Sequence, residues 1–209
     1  MMFSRHNLLL VWKETQHYFI IAAILFFAGV YVGYSDHAPV EWLKSQIEAL
    51  QKAVQSTEGA DRREQAMFFM ILSKNMQAAF MAMILGMIGG FMPIVVLVMN
   101  GIVMGFVVGQ IFTTSGFGGW EYVAKLLLPH GIIELAAIFL ACAFGIRLGI
   151  SLFRGIWGAL IGKSVAWQPF SRTVKGAIPG IVVITVMLVI AALIESTITY
   201  WLAQSLTNI

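Results

Sequence analysis

The chain has 209 residues, of which 59% are hydrophobic and only 11% are charged, and its mean hydropathy is +0.86. A soluble domain carries about 25% charged residues, so this composition excludes a soluble protein and indicates a membrane protein. The net charge of +3 comes without a basic patch interleaved with aromatic residues. Nucleic acid is therefore excluded as a partner.

Five apolar runs are long enough to cross a bilayer, which takes about 20 residues of helix. We read the first run as a retained anchor rather than a signal peptide, because no small-residue cleavage site follows it cleanly. The fold is therefore predicted to be an all-α transmembrane helical bundle, with 1–209 as a single membrane domain. The predicted spans are 18–34, 67–92, 93–112, 126–152 and 177–202.

Three sequence features indicate how these spans begin, end or connect. Pro93 is predicted to turn the second span directly into the third, which makes them an antiparallel pair. The fourth span is expected to break near Pro129 and Gly131, since proline and glycine both disfavour helix interiors. The glycine-rich, aromatic stretch 113–125 is predicted to be an interfacial loop.

The polar segment 35–66 is predicted to contain an amphipathic helix that begins after Pro39. Its apolar residues recur at near-helical spacing, which is typical of a helix lying on a membrane surface or against a partner. These residues are Trp42, Ile47, Leu50 and Val54. A second polar segment, 153–175, is basic and contains no acidic residue. Because basic residues favour inner loops, we place 153–175 and the N-terminus inside and 35–66 outside.

Glycines and alanines recur every four residues on three of the predicted spans. Small residues at this spacing let helix backbones approach closely. We predict that they pack helices within the chain, with a homodimer seam as the alternative. The predicted packing glycines are Gly86, Gly90, Gly101, Gly105, Gly109, Gly131, Gly145 and Gly149.

Four polar residues on three predicted spans fall at similar depth in the outer half of the membrane: Asn75, His130, Glu134 and Glu195. An ionisable group in hydrocarbon is costly, so each of these residues needs a partner, and we predict that they converge. Two further polar residues belong to the other half. Asn100 enters from the opposite face, and Arg147 lies close enough to that interface to snorkel.

Three interpretations of the converging residues stay open. In the first, the residues bond one another and only lock helices together. In the second, they line a water-filled crevice for ions, protons or a small solute. In the third, His130, Glu134 and Glu195 hold a divalent metal such as zinc. No other cofactor and no catalytic residue is expected, and HGIIE is not the HExxH pattern of zinc proteases.

The stretch LLPHGIIELAAIFLACAFGIRLG, from Leu127 to Gly149, resembles the stage II sporulation protein M family of integral membrane proteins. Three further pieces match the family in order and spacing, so the resemblance covers about residues 65–200. These pieces are the Asn75 region, the pair Asn100-Gly101 followed by Gly105, and the run Ala191-Ala192-Leu193-Ile194-Glu195. The resemblance implies five or six helical spans in a bacterial or archaeal cytoplasmic membrane, without established enzymatic activity.

The family resemblance also implies a role. The namesake is a membrane scaffold that holds two peptidoglycan-remodelling partners during engulfment of the forespore, although the PHGxxE form occurs also in organisms that do not sporulate. We therefore expect a non-enzymatic scaffold of a cell-envelope complex, with the bilayer and other membrane or envelope proteins as partners. The alternatives are a small-solute or ion transporter that uses the His/Glu residues, and a divalent-metal-binding membrane protein.

Overall fold

A computed structural model describes residues 5–35, 38–55, 62–199 and 201–202, and these residues contain helices and turns but no strand. The order is α1 (Arg5–Tyr34), α2 (Val40–Gln55), α3 (Arg63–Leu85), α4 (Phe91–Ser115), a 3₁₀ turn (Gly116–Gly118), α5 (Gly119–Tyr122), a π-helix π1 (Val123–Leu127), α6 (Leu128–Leu160), α7 (Gln168–Ile194) and a second π-helix π2 (Glu195–Thr199).

Five helical stretches of the described residues are long and apolar enough to cross a membrane. They are Asn7–Tyr34, Arg63–Leu85, Phe91–Ser115, Gly119–Leu160 and Gln168–Thr199. The prediction of an all-α bundle with about five spans is therefore confirmed. The predicted amphipathic helix is also present as α2.

The reversal between the second and third spans differs from the prediction. Helix α3 ends at Leu85 rather than near residue 92, and the chain turns over residues 86–90 instead of at Pro93. Gly89 and Gly90 have φ angles of +64° and +77° in this turn, a conformation that glycine adopts without steric cost. The prediction that Gly86 and Gly90 lie on a helix is therefore wrong.

Two stretches predicted as loops are mostly helical. Residues 113–125 are occupied by the end of α4, the 3₁₀ turn, α5 and the start of π1. Within 153–175, α6 continues to Leu160 and α7 begins at Gln168, which leaves a connection of residues 161–167. Polar residues mark where hydrocarbon ends, whereas a helix can continue beyond that boundary into water.

The predicted break at Pro129 and Gly131 is wrong as well. Both residues lie inside α6, and the irregularity falls directly before them, in π1. Proline has no N–H and its ring crowds the carbonyl four residues earlier. The wider turn of a π-helix at that point is a known way of keeping a helix continuous across such a lost hydrogen bond.

The chain falls into two compact units, and each of the five long helices contributes to both. The first unit contains the described residues of Met1–Leu25, Gln77–Leu97 and Ala136–Val186; the second contains those of Phe26–Met76, Val98–Leu135 and Met187–Ile209.

The first unit is built around α6, whose residues 141–149 are all buried. A methyl group added at Gly145 would collide with the carbonyl oxygen of Ala82, and one added at Gly149 would collide with that of Gly86. A side chain at Gly86 would in turn meet the Gly145 backbone. The backbone of α6 therefore lies directly against the end of α3 and the turn that follows it.

The second unit contains a reciprocal glycine crossing of α1 and α4. Side chains at Gly29 and Gly33 would collide with the carbonyl oxygens of Val98 and Ile102, and side chains at Gly101 and Gly105 with those of Phe26 and Val30. Sequence reasoning identified only the α4 half of this crossing, although GVYVG in α1 carries the same four-residue spacing.

Two of the predicted packing glycines contribute little to packing. Gly109 would meet only the Tyr34 ring, at 3.5 Å, which is an ordinary contact. Nothing lies within 4 Å of a methyl group added at Gly131. The prediction that Gly131 packs helices is therefore wrong, because its side of α6 faces open space.

Candidate functional site

The second unit brings together three residues that were predicted to converge. One nitrogen or oxygen atom from each of His130, Glu134 and Glu195 lies within 4.8 Å of the corresponding atoms of the other two. His130 Nε2 is 3.9 Å from Glu195 Oε2. The side-chain amide of Asn75 hydrogen bonds to Glu134. We call His130, Glu134, Glu195 and Asn75 the polar cluster.

The local helical structure explains how the cluster is assembled. His130 and Glu134 are four residues apart on α6, which places both side chains on one helix face. Glu195 is the first residue of π2. π2 contacts π1, the π-helix that directly precedes α6 in the chain. π-Helices are rare and are frequently found at functional sites. The cluster is thus bordered by two adjoining π-helices.

The other ring nitrogen of His130, Nδ1, has a hydrogen-bond partner. His130 Nδ1 lies 3.1 Å from the hydroxyl oxygen of Thr199, the last residue of π2. If Nδ1 carries the proton and donates a hydrogen bond to this hydroxyl, the Nε2 lone pair faces Glu195 and is free to bind a cation. In the other tautomer, Nε2–H points toward the carboxylate. Thr199 can serve both tautomers, because a hydroxyl both donates and accepts.

The cluster is not sealed. His130 is 8% exposed, whereas the side chain of Glu195 keeps 30% exposure. Two carboxylates this close repel each other unless a proton or a cation lies between them. The geometry therefore provides a partly open site of negative charge with one imidazole nitrogen, suited to a proton or a metal cation. Asn100, the other predicted polar residue of the middle spans, lies on α4 with an exposed side chain.

The family model of Stage II sporulation protein M matches residues 18–200, which is most of the chain. The chain belongs to the stage II sporulation protein M family. The predicted resemblance is confirmed, and the family together with the five helices makes the chain a multi-pass membrane protein. No curated protein and no solved structure gives a significant match.

In this member of the family, Arg147 does not snorkel as predicted. It is 7% exposed, donates a hydrogen bond of 2.9 Å to the Thr15 hydroxyl and forms an ion pair with Glu14. Glu14 also pairs with Arg172, at 3.3 Å. A buried guanidinium needs such partners, since burial of an unpaired charge is costly.

Sequence reasoning missed Glu14, Thr15, Arg172 and Thr199. A signal existed for Glu14, which is the single acidic residue in the predicted inner segments 1–17 and 153–175. Thr199 follows Glu195 by four residues, so it had the spacing of a neighbour on the same helix face. Glu14 and Thr15 lie before the family-matched region 18–200, whereas the polar cluster lies within it.

Proposed function

We propose that this member of the stage II sporulation protein M family is an integral membrane scaffold of a cell-envelope complex. The observation that carries the proposal is α2, a polar helix outside the membrane-spanning stretches. It is anchored by Leu43, which is fully buried, while Trp42 and the charged residues around it are exposed. The predicted apolar face included Trp42 but not Leu43, which α2 buries.

An exposed tryptophan among charged residues is a typical anchor for a protein partner. Residues Glu41, Lys44 and Glu48 are all exposed beside Trp42. Helix α2 and the glycine crossing of α1 with α4 belong to the same unit. Backbones packed without intervening side chains hold a fixed geometry, which suits a platform that orients partners. Recruitment of peptidoglycan-remodelling proteins is the specific form of this proposal, with sporulation as one setting.

Photo-crosslinking in intact cells tests the scaffold proposal. A photoreactive amino acid at Trp42 should give discrete adducts with cell-envelope proteins, identified by mass spectrometry. The same amino acid at Ile24, which is exposed on a membrane-spanning helix, is the matched control and should give lipid adducts. Identical adduct patterns at the two positions would reject α2 as the partner surface.

The second candidate function is cation binding by the polar cluster, and it is favoured by the convergence of the three side chains. An imidazole nitrogen and two carboxylates form a ligand set that suits zinc and similar divalent ions. Ligand atoms about 2.1 Å from a tetrahedral zinc lie about 3.4 Å apart. The separation of 3.9 Å between His130 Nε2 and Glu195 Oε2 is close to that value, so small side-chain rotations would complete the site.

Elemental analysis tests this candidate. Protein purified without chelators should contain about one divalent ion per chain, and His130→Ala should lose it. His17→Ala is the control, because His17 is exposed on α1 and should keep full metal content. Metal-free wild-type protein, or metal retained by His130→Ala, contradicts the site.

Transport through the same cluster makes a different prediction. Glu134→Gln should then abolish a proton or ion flux in proteoliposomes while the melting temperature of the protein stays unchanged. Under the scaffold proposal, Glu134→Gln lowers the melting temperature and leaves the Trp42 adducts intact. The wild-type protein then shows no proton or ion flux in proteoliposomes.

A further inference from the structure

A pair of cavities in the first unit is lined by basic residues. The larger has a volume of about 790 Å³ and the smaller about 220 Å³. Glu14 and Arg172 line both, so their ion pair is part of the wall that the cavities share. The polar cluster belongs to the other unit and contributes nothing to this lining.

The lining carries more positive charge than the carboxylates of the described lining residues neutralise. Four cationic side chains, Arg147, Arg154, Arg172 and Lys175, face a single carboxylate, that of Glu14. Arg147 is buried against Glu14, whereas the side chain of Arg172 is 68% exposed. Arg172 can therefore turn toward a bound anion while Arg147 keeps the Glu14 charge paired.

Exposed tryptophans lie on the helices that line these cavities and on the turn before α7. Trp12 on α1, Trp157 on α6 and Trp167 before α7 are 44%, 60% and 47% exposed. Tryptophan concentrates at the boundary between hydrocarbon and headgroups. The apolar part of the lining includes Leu10, Val11 and Pro179. Cationic groups beside an apolar groove at headgroup depth match a lipid better than a soluble anion.

We propose that these cavities bind the headgroup of an anionic phospholipid, with phosphatidylglycerol as the simplest example. Guanidinium groups bind phosphate oxygens through paired N–H donors, and Lys175 adds a point charge. The Ser171 hydroxyl, which also lines the larger cavity, is a further donor. The acyl chains extend along the apolar part of the groove. Basic pockets between membrane-spanning helices recognise anionic headgroups in this way.

Native mass spectrometry of the full chain in detergent tests the site. Phosphatidylglycerol and phosphatidylcholine with identical acyl chains are titrated separately, and phosphatidylglycerol should bind about 25-fold tighter, as expected if two cations each contribute a factor of about five. Arg154→Gln, Arg172→Gln and Lys175→Gln should each weaken phosphatidylglycerol binding about fivefold, because each cation contributes that factor. Lys44→Gln, an exposed change on α2, should leave it unaltered.

Equal affinity for the two lipids, or unchanged affinity in Lys175→Gln, overturns the proposal. Lys175 is exposed, so its replacement leaves the fold intact and the result interpretable. Inorganic phosphate provides the second arm. If phosphate displaces phosphatidylglycerol completely and protects the protein equally against heat, the cavities bind a soluble anion and the lipid assignment is wrong.

Discussion

At the scale of single residues, the polar cluster depends on a hydroxyl outside the predicted set. The Thr199 hydroxyl bonds His130 Nδ1, and a group that holds the far nitrogen of a histidine fixes the orientation of its ring. A cluster without this hydroxyl would keep its three ligand atoms but lose the orientation of the imidazole.

Thr199→Val, which keeps the side-chain shape, should therefore weaken zinc binding about tenfold or more and cost about 1 kcal/mol of stability. Chelator competition and thermal unfolding measure the two effects. Thr197→Val is the matched control, because the Thr197 hydroxyl bonds only the Leu193 carbonyl of its own helix. Equal zinc affinity in both variants would show that Thr199 does not position His130.

The buried ion pair in the first unit gives a second prediction at this scale. Arg147→Gln leaves Glu14 paired with the exposed Arg172 and should destabilise the protein by about 2 kcal/mol. This loss is smaller than for a fully buried ion pair, because Glu14 is one-third exposed. Unfolding midpoints in detergent measure this loss. In a double-mutant cycle, Glu14→Gln should restore part of it. Strictly additive effects would mean that the two charges do not interact.

At the scale of helices, backbone contact rather than side-chain interdigitation holds α1 against α4. The carbonyl of Val30 occupies the space that a methyl group on Gly105 would need. A larger side chain at this contact would force α1 and α4 apart. The α1 half of this contact escaped sequence reasoning because a four-residue glycine spacing says nothing about which helix it meets.

Gly105→Ala should consequently lower the free energy of unfolding by about 2–3 kcal/mol, the cost of overpacking a rigid contact. Gly131→Ala is the matched control, since its added methyl group meets open space. There the better helix propensity of alanine should keep stability unchanged or raise it by up to about 1 kcal/mol. Thermal unfolding in one detergent compares them, and a similar loss in both variants would contradict the packing argument.

At the scale of the whole molecule, hydropathy predicted the number of spans because the cost of exposing backbone in hydrocarbon leaves little alternative to helices. Helix ends were less predictable, because the turns after α3 and α6 contain glycines with positive φ, Gly89 and Gly162, whose geometry hydropathy does not reveal. Arg147 was misjudged because its depth suggested an interface, while its partner, Glu14, is 133 residues away in the chain. The depth of a residue in the membrane can be predicted from the sequence pattern. The partner of its side chain can be identified only once the fold is known.

Five spans with the N-terminus inside predict opposite accessibility for α2 and the turn before α7. In intact cells, a membrane-impermeant maleimide should label Ser45→Cys but label Lys163→Cys only after the membrane is opened. Both positions are exposed, and the native Cys142 is fully buried, so background labelling stays low. Labelling of Lys163→Cys in intact cells would invert the orientation and place α2 inside.

The π-helix at the end of α7 sets the direction in which the Thr199 side chain points. A π-helical turn accommodates one more residue than an α-helical turn, and contacts elsewhere must compensate for its poorer geometry. Closing residues 195–199 into a regular α-helix without removing a residue would tighten this turn and rotate the Thr199 side chain about the helix axis. The histidine would then lose its hydroxyl neighbour without any substitution. The extra residue in this wide turn thus determines whether the Thr199 hydroxyl reaches the His130 ring.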